Sequence, residues 1–376
     1  MDHILLSAAL AFLITFFAIP IIIQVARDKK LFDEPDERKV HKVVIPTLGG
    51  LGIFAGFILA TLIGAPAGSG RELQFFAASA IVTFFLGIKD DILVLSAAKK
   101  FLGQVIAAGI IIWFGKLQIT DMHGLFGINE IPHVASLALT FFTVLVITNS
   151  FNLIDGVDGL AGSLGLLTTL VFGAYFFYVG QSMYAVMAFA LSGSLIAFLI
   201  YNFSPAKIFM GDTGSLLLGL VNAVLVIKFI NIAGNPATSF HIEAAPAVGF
   251  AILIVPLFDT LRVFGLRILD RRSPFSPDRT HVHHFLLDMG LNHKKITFVC
   301  LGVNVGFILL AFFMRNMGTT IVLSAVLLTA LALIGLIYYL RSKNNLSRSS
   351  AKLKREESLL KPRKIFTLAS EVVEAD

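Results

Sequence analysis

Long apolar runs recur along almost the whole of this 376-residue chain. A run of about 20 apolar residues is long enough to cross the hydrocarbon core of a bilayer as one α-helix. Composition agrees, because 56% of the residues are hydrophobic and only 14% are charged. Soluble domains have roughly a quarter of their residues charged. The chain is therefore predicted to be an all-α, polytopic integral membrane protein.

About eleven membrane-spanning helices are expected from the apolar windows. Their predicted bounds are 4–26, 45–64, 73–88, 101–115, 134–150, 160–179, 183–202, 214–232, 245–264, 296–314 and 319–340. The first window lacks a preceding basic segment and is long enough to span, so a cleavable signal peptide is not expected. The one cysteine, Cys300, lies inside an apolar run, which excludes a disulfide bond within the chain.

Lys and Arg residues indicate the orientation. If the N-terminus is outside, all but four of the 30 Lys and Arg residues lie in inside segments. The four exceptions are Arg71, Lys116, Lys228 and Arg315. By the positive-inside rule the C-terminus is cytoplasmic. We therefore predict a transmembrane catalytic domain over 1–340 and a basic, partly disordered cytoplasmic tail over 341–376.

The dense polar clusters all fall on that same inner side. They are 33–42, Lys89–Asp91, Asn149–Gly159, Met210–Ser215 and Arg267–Lys295. The outer loops are shorter and read as turns. Because the orientation was derived from basic residues alone, the position of the acidic clusters is independent support for a site at the cytoplasmic membrane surface.

The segment Asn149–Gly159 interrupts two long apolar runs with two amides, two carboxylates and two glycines. Asn and Asp supply the hard oxygen donors that Mg²⁺ and sugar phosphates require, and glycine permits close approach of the backbone to a ligand. Asp155 and Asp158 are three residues apart and share a face if a helix has already begun. An N-cap or turn is the alternative, and it accounts for Asn149 better than for the two acids.

Two further acidic motifs stand at predicted helix ends. Asp90 and Asp91 end one span, and Lys100 opens the next. An exposed charged turn is the alternative interpretation of that pair. Asp212 lies in a Gly-Asp-Thr-Gly turn that opens an apolar helix, where free N–H groups favour phosphate. Asp212 is either an ordinary cap or a ligand for the Mg²⁺ bound to such phosphates.

The loop after residue 265 combines arginines with a His-Val-His-His motif. The residues are Arg267, Arg271, Arg272, Arg279, His281, His283 and His284. Zinc is an unfavoured alternative, because the spacing is not usual for zinc and no Cys accompanies it. An anion pocket, in which Arg and His donate to phosphate oxygens, fits better. Asp259 and Arg262 nearby could simply pair with each other.

Several motifs follow one another between about Asp33 and Lys295. They are HKVVIPTLGG, KDDILVLSAAKKFLGQ, NSFNLIDGVDGLAGS, IFMGDTGSLLLG, PLFDTLRV and RTHVHHFLLDMG. In this order the chain resembles the polyprenyl-phosphate N-acetylhexosamine-1-phosphate transferases, glycosyltransferase family 4. Its His-Val-His-His form is similar to the WecA/TagO branch rather than to the related MraY enzymes. The resemblance implies transfer of a sugar 1-phosphate from a UDP-N-acetylhexosamine to polyprenyl phosphate, with release of UMP.

The resemblance also implies roles for individual residues, and Mg²⁺, with Mn²⁺ as a substitute, as the cofactor. Asn152 and Asp212 match metal-ligand positions, and Asp90 and Asp91 match the catalytic acidic pair. The substrate-binding positions implied are Lys100, Asp155, Asp158, Arg279, His281, His283 and His284. The chain departs from many relatives in having Ile-Leu-Val after the acidic pair, so an Asp-Asp-x-x-Asp metal motif is incomplete.

The expected partners are UDP-N-acetylhexosamine, the polyprenyl phosphate carrier, membrane lipids and a second copy in a homodimer, but not nucleic acid. N-acetylglucosamine is the expected sugar, for initiating cell-envelope polysaccharide synthesis at the inner (cytoplasmic) membrane. UDP-N-acetylmuramoyl-pentapeptide is the alternative donor. A transporter is the alternative from another class, but its polar residues should lie near the midplane rather than at the inner interface. A structural or receptor protein does not explain acidic motifs in several inner loops.

Overall fold

The computed structural model describes residues 2–29, 45–273 and 280–360, with side chains described as far as residue 343. The helices are α1 (Asp2–Asp28), α2 (Gly49–Gly64), α3 (Gly70–Leu93), α4 (Ala97–Gly109), α5 (His133–Ile154), α6 (Leu160–Tyr178), α7 (Ser182–Asn202), α8 (Gly211–Ala233), α9 (Ala245–Ile252), α10 (Ile254–Leu269), α11 (Val282–Asp288), α12 (His293–Phe313) and α13 (Thr319–Leu360). A π-helical turn, Ile110–Phe114, continues α4, and one antiparallel hairpin joins β1 (Asp121–Leu125) to β2 (Ile128–Glu130).

The all-α, polytopic class is confirmed. Within the described residues, eight helices are long and apolar enough to cross a membrane, or nine if α9 and α10 form one bent span. The shorter α2 is also apolar. The expected number of about eleven spans and the orientation stay predictions, as do the domain bounds 1–340 and 341–376.

The predicted span 245–264 is not one straight helix, because α9 and α10 meet at 88°. Pro256 has no backbone N–H and is tolerated only in the first turn of a new helix, where it stands in α10. The buried Asn304 of α12 satisfies backbone groups at the break. Its Nδ2 donates to the Ile252 carbonyl at 2.9 Å, and its Oδ1 accepts from the Val255 N–H at 3.3 Å. Such compensation is what allows a broken helix inside a bilayer.

The start of α8 is held between α2 and α3. The Gly49 and Gly50 N–H groups donate to the carbonyls of Phe209 and Met210 at 2.9 and 2.8 Å. On the other side Gly87 of α3 touches α8 so closely that a Cβ there would lie 2.4 Å from the Cα of Thr213. The Gly49–Gly50 pair therefore permits close packing of α2 against the start of α8. This packing brings the last turn of α3 against the first turn of α8.

The chain divides into two compact units, residues 1–330 and 331–376. Within the first unit, α8 is buried along almost its whole length and touches α2, α3, α5, α6 and α9. The second unit contains the C-terminal part of α13. All the described candidate site residues lie in the first unit.

Candidate active site

Four helix ends meet at what we call the carboxylate centre, which comprises Asp90, Asp91, Lys100, Asn152, Asp155 and Asp212. Lys100, in the first turn of α4, forms ion pairs through its Nζ with Asp90 Oδ2 and with Asp212 Oδ2. Asp90 comes from the end of α3 and Asp212 from the start of α8. Three residues that the sequence predicted for the site are thus brought into direct contact.

Asp90 and Asp91 have different surroundings although they are neighbours. Asp91 caps α8: its Oδ1 accepts from the Asp212 N–H at 2.7 Å, and its Oδ2 accepts from the Thr213 N–H at 3.0 Å and the Thr213 hydroxyl at 2.5 Å. Asp90 is buried, and its Oδ1 accepts from the Leu95 N–H at 2.5 Å. The sequence predicted that free N–H groups at this helix start would bind phosphate. The N–H groups of Asp212 and Thr213 instead already donate hydrogen bonds to Asp91.

The two asparagines of the polar segment lie inside α5, which ends at Ile154 rather than at residue 150 as predicted. Asn152 Nδ2 donates to Asp212 Oδ1 at 2.5 Å and to the Ser215 hydroxyl at 2.9 Å. Asn149 Nδ2 donates to Gln104 Oε1 at 2.6 Å, which joins α5 to α4. Asn152 therefore belongs to the carboxylate centre, and Asn149 braces it from outside.

Asp155 and Asp158 lie in the turn between α5 and α6, so no helix places them on one face. Desolvation of the Asp155 carboxylate and the negative charges of Asp212, Asp91 and Asp158 raise the pKa of Asp155 well above its usual range. Asp155 makes no hydrogen bond or ion pair within the described part of the chain. It is therefore the carboxylate of the centre that is available to a ligand.

Asp158, by contrast, is buried and engaged by the protein. Its Oδ1 lies 3.1 Å from His293 Nδ1, and its Oδ2 accepts from the Ala206 N–H at 3.2 Å. Its carbonyl accepts from the Thr297 hydroxyl at 3.2 Å. These contacts attach the turn to the start of α12, and the substrate-binding role of Asp158 stays a prediction.

A second cluster, which we call the histidine centre, surrounds the buried Asp259 of α10. His281 donates through Nδ1 to Asp259 Oδ2 at 2.8 Å, and Arg262 donates to Asp259 Oδ1 at 2.8 Å. The Val282 N–H also reaches Oδ1, at 3.1 Å, and Arg262 donates to the Thr280 carbonyl at 2.5 Å. Asp259 thus orients the His281 ring and holds the start of α11.

His283 connects the histidine centre with the turn beside the carboxylate centre. Its ring lies against Gly156, where a Cβ would approach Nε2 to 2.7 Å, so this position accepts only glycine without displacement of the ring. The rings of His281 and His284 are 5.8 and 4.3 Å away between centroids. Burial and the neighbouring His284 lower the pKa of His283 to about 3. His283 is therefore neutral at physiological pH.

The structure thus describes the position of most, but not all, of the predicted site residues. Arg279 lies outside the described residues, and so does all of the first polar cluster, 33–42. Ser215 and Gln104 were not predicted, although Ser215 stands within the motif that carries Asp212. The functions of all these residues stay predictions, because geometry alone assigns none of them.

The carboxylate centre fits Mg²⁺ better than zinc. Its donors are carboxylate and amide oxygens, and no group of three or more His, Cys, Asp or Glu among the described residues has metal-binding geometry. Mg²⁺ usually takes one or two carboxylates and completes its octahedral shell with water and substrate phosphates. The Lys100 ammonium already lies between Asp90 and Asp212, which demonstrates that a cation is accommodated between these two carboxylates.

Comparison with known proteins agrees with these motifs. The profile of a family described as "Glycosyl transferase family 4" matches residues 73–230. A Bacillus subtilis protein named "Probable undecaprenyl-phosphate N-acetylglucosaminyl 1-phosphate transferase" is 33% identical over 304 residues, 80% of this chain and 82% of its own length.

Two other relatives extend the comparison. The decaprenyl-phosphate N-acetylglucosaminephosphotransferase of Mycobacterium leprae is 32% identical over 89% of this chain and 90% of its own. The undecaprenyl-phosphate alpha-N-acetylglucosaminyl 1-phosphate transferase of Escherichia coli K12 is 28% identical over 72% of this chain and 73% of its own. The resemblance found in the motifs is confirmed, and this chain belongs to glycosyl transferase family 4.

Proposed function

We propose that this protein transfers N-acetylglucosamine 1-phosphate from UDP-N-acetylglucosamine to a polyprenyl phosphate, giving polyprenyl-diphospho-N-acetylglucosamine and UMP. The observation that carries the proposal is the convergence of Asp90, Lys100, Asn152 and Asp212 from four helices. The names of the similar proteins supply the substrate class. The site faces the cytoplasm, because the acidic clusters share a side with most of the Lys and Arg residues.

The reaction requires positioning and charge stabilisation more than covalent help from the protein. An oxygen of the lipid phosphate forms a bond to the β-phosphorus of the donor. The bond from that phosphorus to the bridging oxygen breaks, and UMP leaves with the bond's electron pair. Mg²⁺ held by Asp212 and Asn152 would neutralise charge on the donor diphosphate. A flip of the Asn152 side-chain amide by about 180° would present its oxygen, rather than its nitrogen, to a cation.

The unequal surroundings of the acidic pair separate their roles. Both carboxylate oxygens of Asp91 accept hydrogen bonds from α8, so Asp91 positions Asp212. Asp90 faces the ammonium of Lys100, and we assign it the place beside the acceptor phosphate. A proton on that phosphate, whose second pKa should be near 6, would pass to Asp90. Asp91 therefore acts through another residue, whereas Asp90 contacts the substrate.

Asp155 and the histidine centre supply the donor side of the site. His283 is neutral and lies over Gly156, the residue that follows Asp155. Asp259 accepts a hydrogen bond from Nδ1 of His281, so a protonated His281 would present an Nε2–H that donates to a phosphate oxygen. The donor diphosphate then lies between a centre rich in carboxylates and a centre rich in nitrogen donors.

An apolar groove fits the polyprenyl chain of the acceptor. It has a volume of about 180 Å³ and runs between α5, α8 and the bent pair α9–α10. Its lining includes Phe142, Val146, Val226, Leu253 and Leu261, the last of which directly precedes Arg262. A chain in this groove leads its phosphate toward the two centres. The expected homodimer stays a prediction.

A donor panel tests the proposal. Purified protein is incubated with Mg²⁺, polyprenyl phosphate and labelled UDP-N-acetylglucosamine, and the lipid product is extracted. We expect a lipid-linked product that EDTA abolishes and that Mg²⁺ or Mn²⁺ restores. A product from UDP-N-acetylmuramoyl-pentapeptide alone would replace the proposed donor by the alternative. No product with either donor would refute the transferase proposal.

A further inference from the structure

A second cavity lies at the other end of the helices that carry the carboxylate centre. The helices α6, α8 and α12 all begin beside that centre, and the cavity lies near their last turns. Its volume is about 300 Å³, and its lining is apolar and aromatic, including Val171, Tyr175, Phe229, Val248 and Ile308. The 19 residues of α6 rise roughly 28 Å, about the thickness of the bilayer's hydrocarbon core. The cavity therefore belongs to the membrane leaflet opposite the proposed active site.

Aromatic side chains surround the mouth of the cavity. Tyr178 and Phe312 are exposed to 67% and 37%, so the mouth opens to the surroundings rather than into the protein. Phe240 lies between them, with ring centroids 5.6 Å from Tyr178 and 6.2 Å from Phe312. Tyr and Trp side chains are enriched where a membrane protein passes from the hydrocarbon to the headgroups, and Tyr178 stands at this mouth. The mouth has the composition of that interface.

A cation stands at this mouth. The guanidinium carbon of Arg315 lies 4.4 Å from the Phe312 ring centroid and 5.9 Å from that of Phe240. Arg315 donates one hydrogen bond, from Nη1 to the Phe312 carbonyl at 3.0 Å. No carboxylate of the described chain pairs with it, whereas Lys228, another cation of the same end, pairs with Glu72. Most of the five N–H donors of Arg315 are thus available to a bound molecule or to solvent.

We propose that this aromatic cavity binds one acyl chain of an anionic phospholipid, whose phosphate accepts hydrogen bonds from Arg315. An apolar cavity of this size holds part of one chain, and a guanidinium recognises a phosphate through paired N–H donors. The lipid acceptor of the proposed reaction is not the occupant. Its phosphate reacts at the carboxylate centre, on the other side of the membrane core.

Lipid titrations of the full-length protein in detergent, followed by native mass spectrometry, test this inference. The probes are dioleoyl phosphatidylglycerol, which carries an anionic phosphate, and dioleoylglycerol, which has the same chains and no phosphate. We expect the wild type to bind the anionic lipid about tenfold more tightly, since a charge-assisted hydrogen bond is worth that much or more. Arg315→Gln should bind both lipids equally.

Arg71→Gln is the matched control, because Arg71 is an exposed cation at the same end of the helices and does not line the cavity. It should keep the tenfold preference. Ile308→Trp fills the cavity and should weaken the binding of both lipids. The melting temperature of this variant without lipid shows whether it is folded. A folded Ile308→Trp with wild-type lipid binding would contradict the inference.

Three further outcomes would also overturn the proposal: equal binding of the two lipids by the wild type, an undiminished preference in Arg315→Gln, or displacement of phosphatidylglycerol by polyprenyl phosphate. The last result would make the cavity part of the acceptor site. Transferase activity is measured in parallel with the donor panel. If the wild type shows no transferase activity, the proposed function is refuted, but the lipid titrations are unaffected. A failure of the proposed function can therefore be told apart from a failure of the lipid-binding inference.

Discussion

The carboxylate centre and the histidine centre use charged side chains in opposite ways. The first contains four carboxylates and one ammonium, that of Lys100, which pairs with two of them. In the second, one carboxylate, Asp259, receives hydrogen bonds from an imidazole, a guanidinium and a backbone N–H. The first centre therefore carries excess negative charge that a bound cation would relieve, whereas the one carboxylate of the second centre already accepts hydrogen bonds from three groups of the protein.

The contrast between the two centres separates the charges that support the fold from the charges that are kept for a ligand. A buried ion pair with all its hydrogen bonds made is costly to break, because the remaining partner is left uncompensated. Carboxylates that repel one another cost stability in the free protein and recover it when a cation binds. We therefore expect substitutions in the carboxylate centre to affect turnover first, and substitutions at Asp259 to affect stability first.

Asp212→Asn should produce the largest loss of turnover. The substitution preserves shape but removes the carboxylate that contacts both Lys100 and Asn152. We expect turnover to fall roughly 10²- to 10³-fold, the usual effect of removing one group that stabilises a transition-state charge. The melting temperature should stay close to wild type, because one of four mutually repelling carboxylates is gone. Initial rates with saturating substrates, and thermal melts in detergent, measure both quantities.

Asp270→Asn is the control for that result. Asp270 follows α10 and pairs with Arg272, and both side chains are exposed by half or more. An exposed pair of this kind contributes little to stability, and neither residue contacts a member of either centre among the described residues. Its turnover should equal wild type. An Asp212→Asn variant that turned over as fast as Asp270→Asn would remove Asp212 from the metal site.

Asp259→Asn should instead lower stability. It leaves Arg262 and His281 buried without their carboxylate partner, and breaking a buried pair costs about 3–5 kcal/mol. Denaturant titration of the detergent-solubilised protein measures that cost. Removing the cation as well, in Asp259→Asn with Arg262→Gln, should lose less than the sum of the two single changes. Wild-type stability in Asp259→Asn would contradict the distinction between the two centres.

The sequence was sufficient for the features that depend on local pattern. Apolar length predicted the all-α membrane class, and the acidic pair and Asp212 were correctly expected at a helix end and a helix start. The order of the motifs was sufficient for the family. None of these conclusions required knowing which helices touch.

The remaining features depend on contacts between residues far apart in the chain. Which of Asp90 and Asp91 caps α8 is decided by the close approach of Gly87 to Thr213, a packing contact that no motif reveals. Asp158 was expected in the substrate pocket, yet its partner His293 stands 135 residues later. The break between α9 and α10 depends on Asn304 of α12. Sequence patterns indicate that such residues are candidates, but they do not identify the residues that contact them in the folded chain.

Asp91 offers a smaller test within the carboxylate centre. Asp91→Ala removes the three hydrogen bonds that cap α8 and should cost about 1–2 kcal/mol, as the loss of a helix cap does. Turnover should fall because Asp212 loses its position. Asp91→Asn keeps one acceptor oxygen and should restore part of both losses. If Asp91→Asn melted like wild type but had as little turnover as Asp212→Asn, Asp91 would be a reacting group rather than a positioning residue.

The smallest expected effect concerns His283 and pH. Its pKa is lowered to about 3 in the folded protein, chiefly by burial, whereas an unfolded histidine titrates near 6.5. The stability that depends on neutral His283 is therefore fully present above about pH 6.5 and is lost progressively as the pH falls toward 3. Between pH 7.5 and 5.5 the loss should be about 1.4 kcal/mol.

His283→Phe isolates this contribution, because it keeps a ring against Gly156 and has no titrating group. Denaturant titrations at pH 7.5 and 5.5 should show a drop in unfolding free energy that is smaller in His283→Phe than in wild type by about 1.4 kcal/mol. Every other titrating group is common to both proteins, so the difference belongs to His283. Equal drops would mean that His283 accepts a proton in the folded protein, and the histidine centre would then carry the same kind of unrelieved charge as the carboxylate centre.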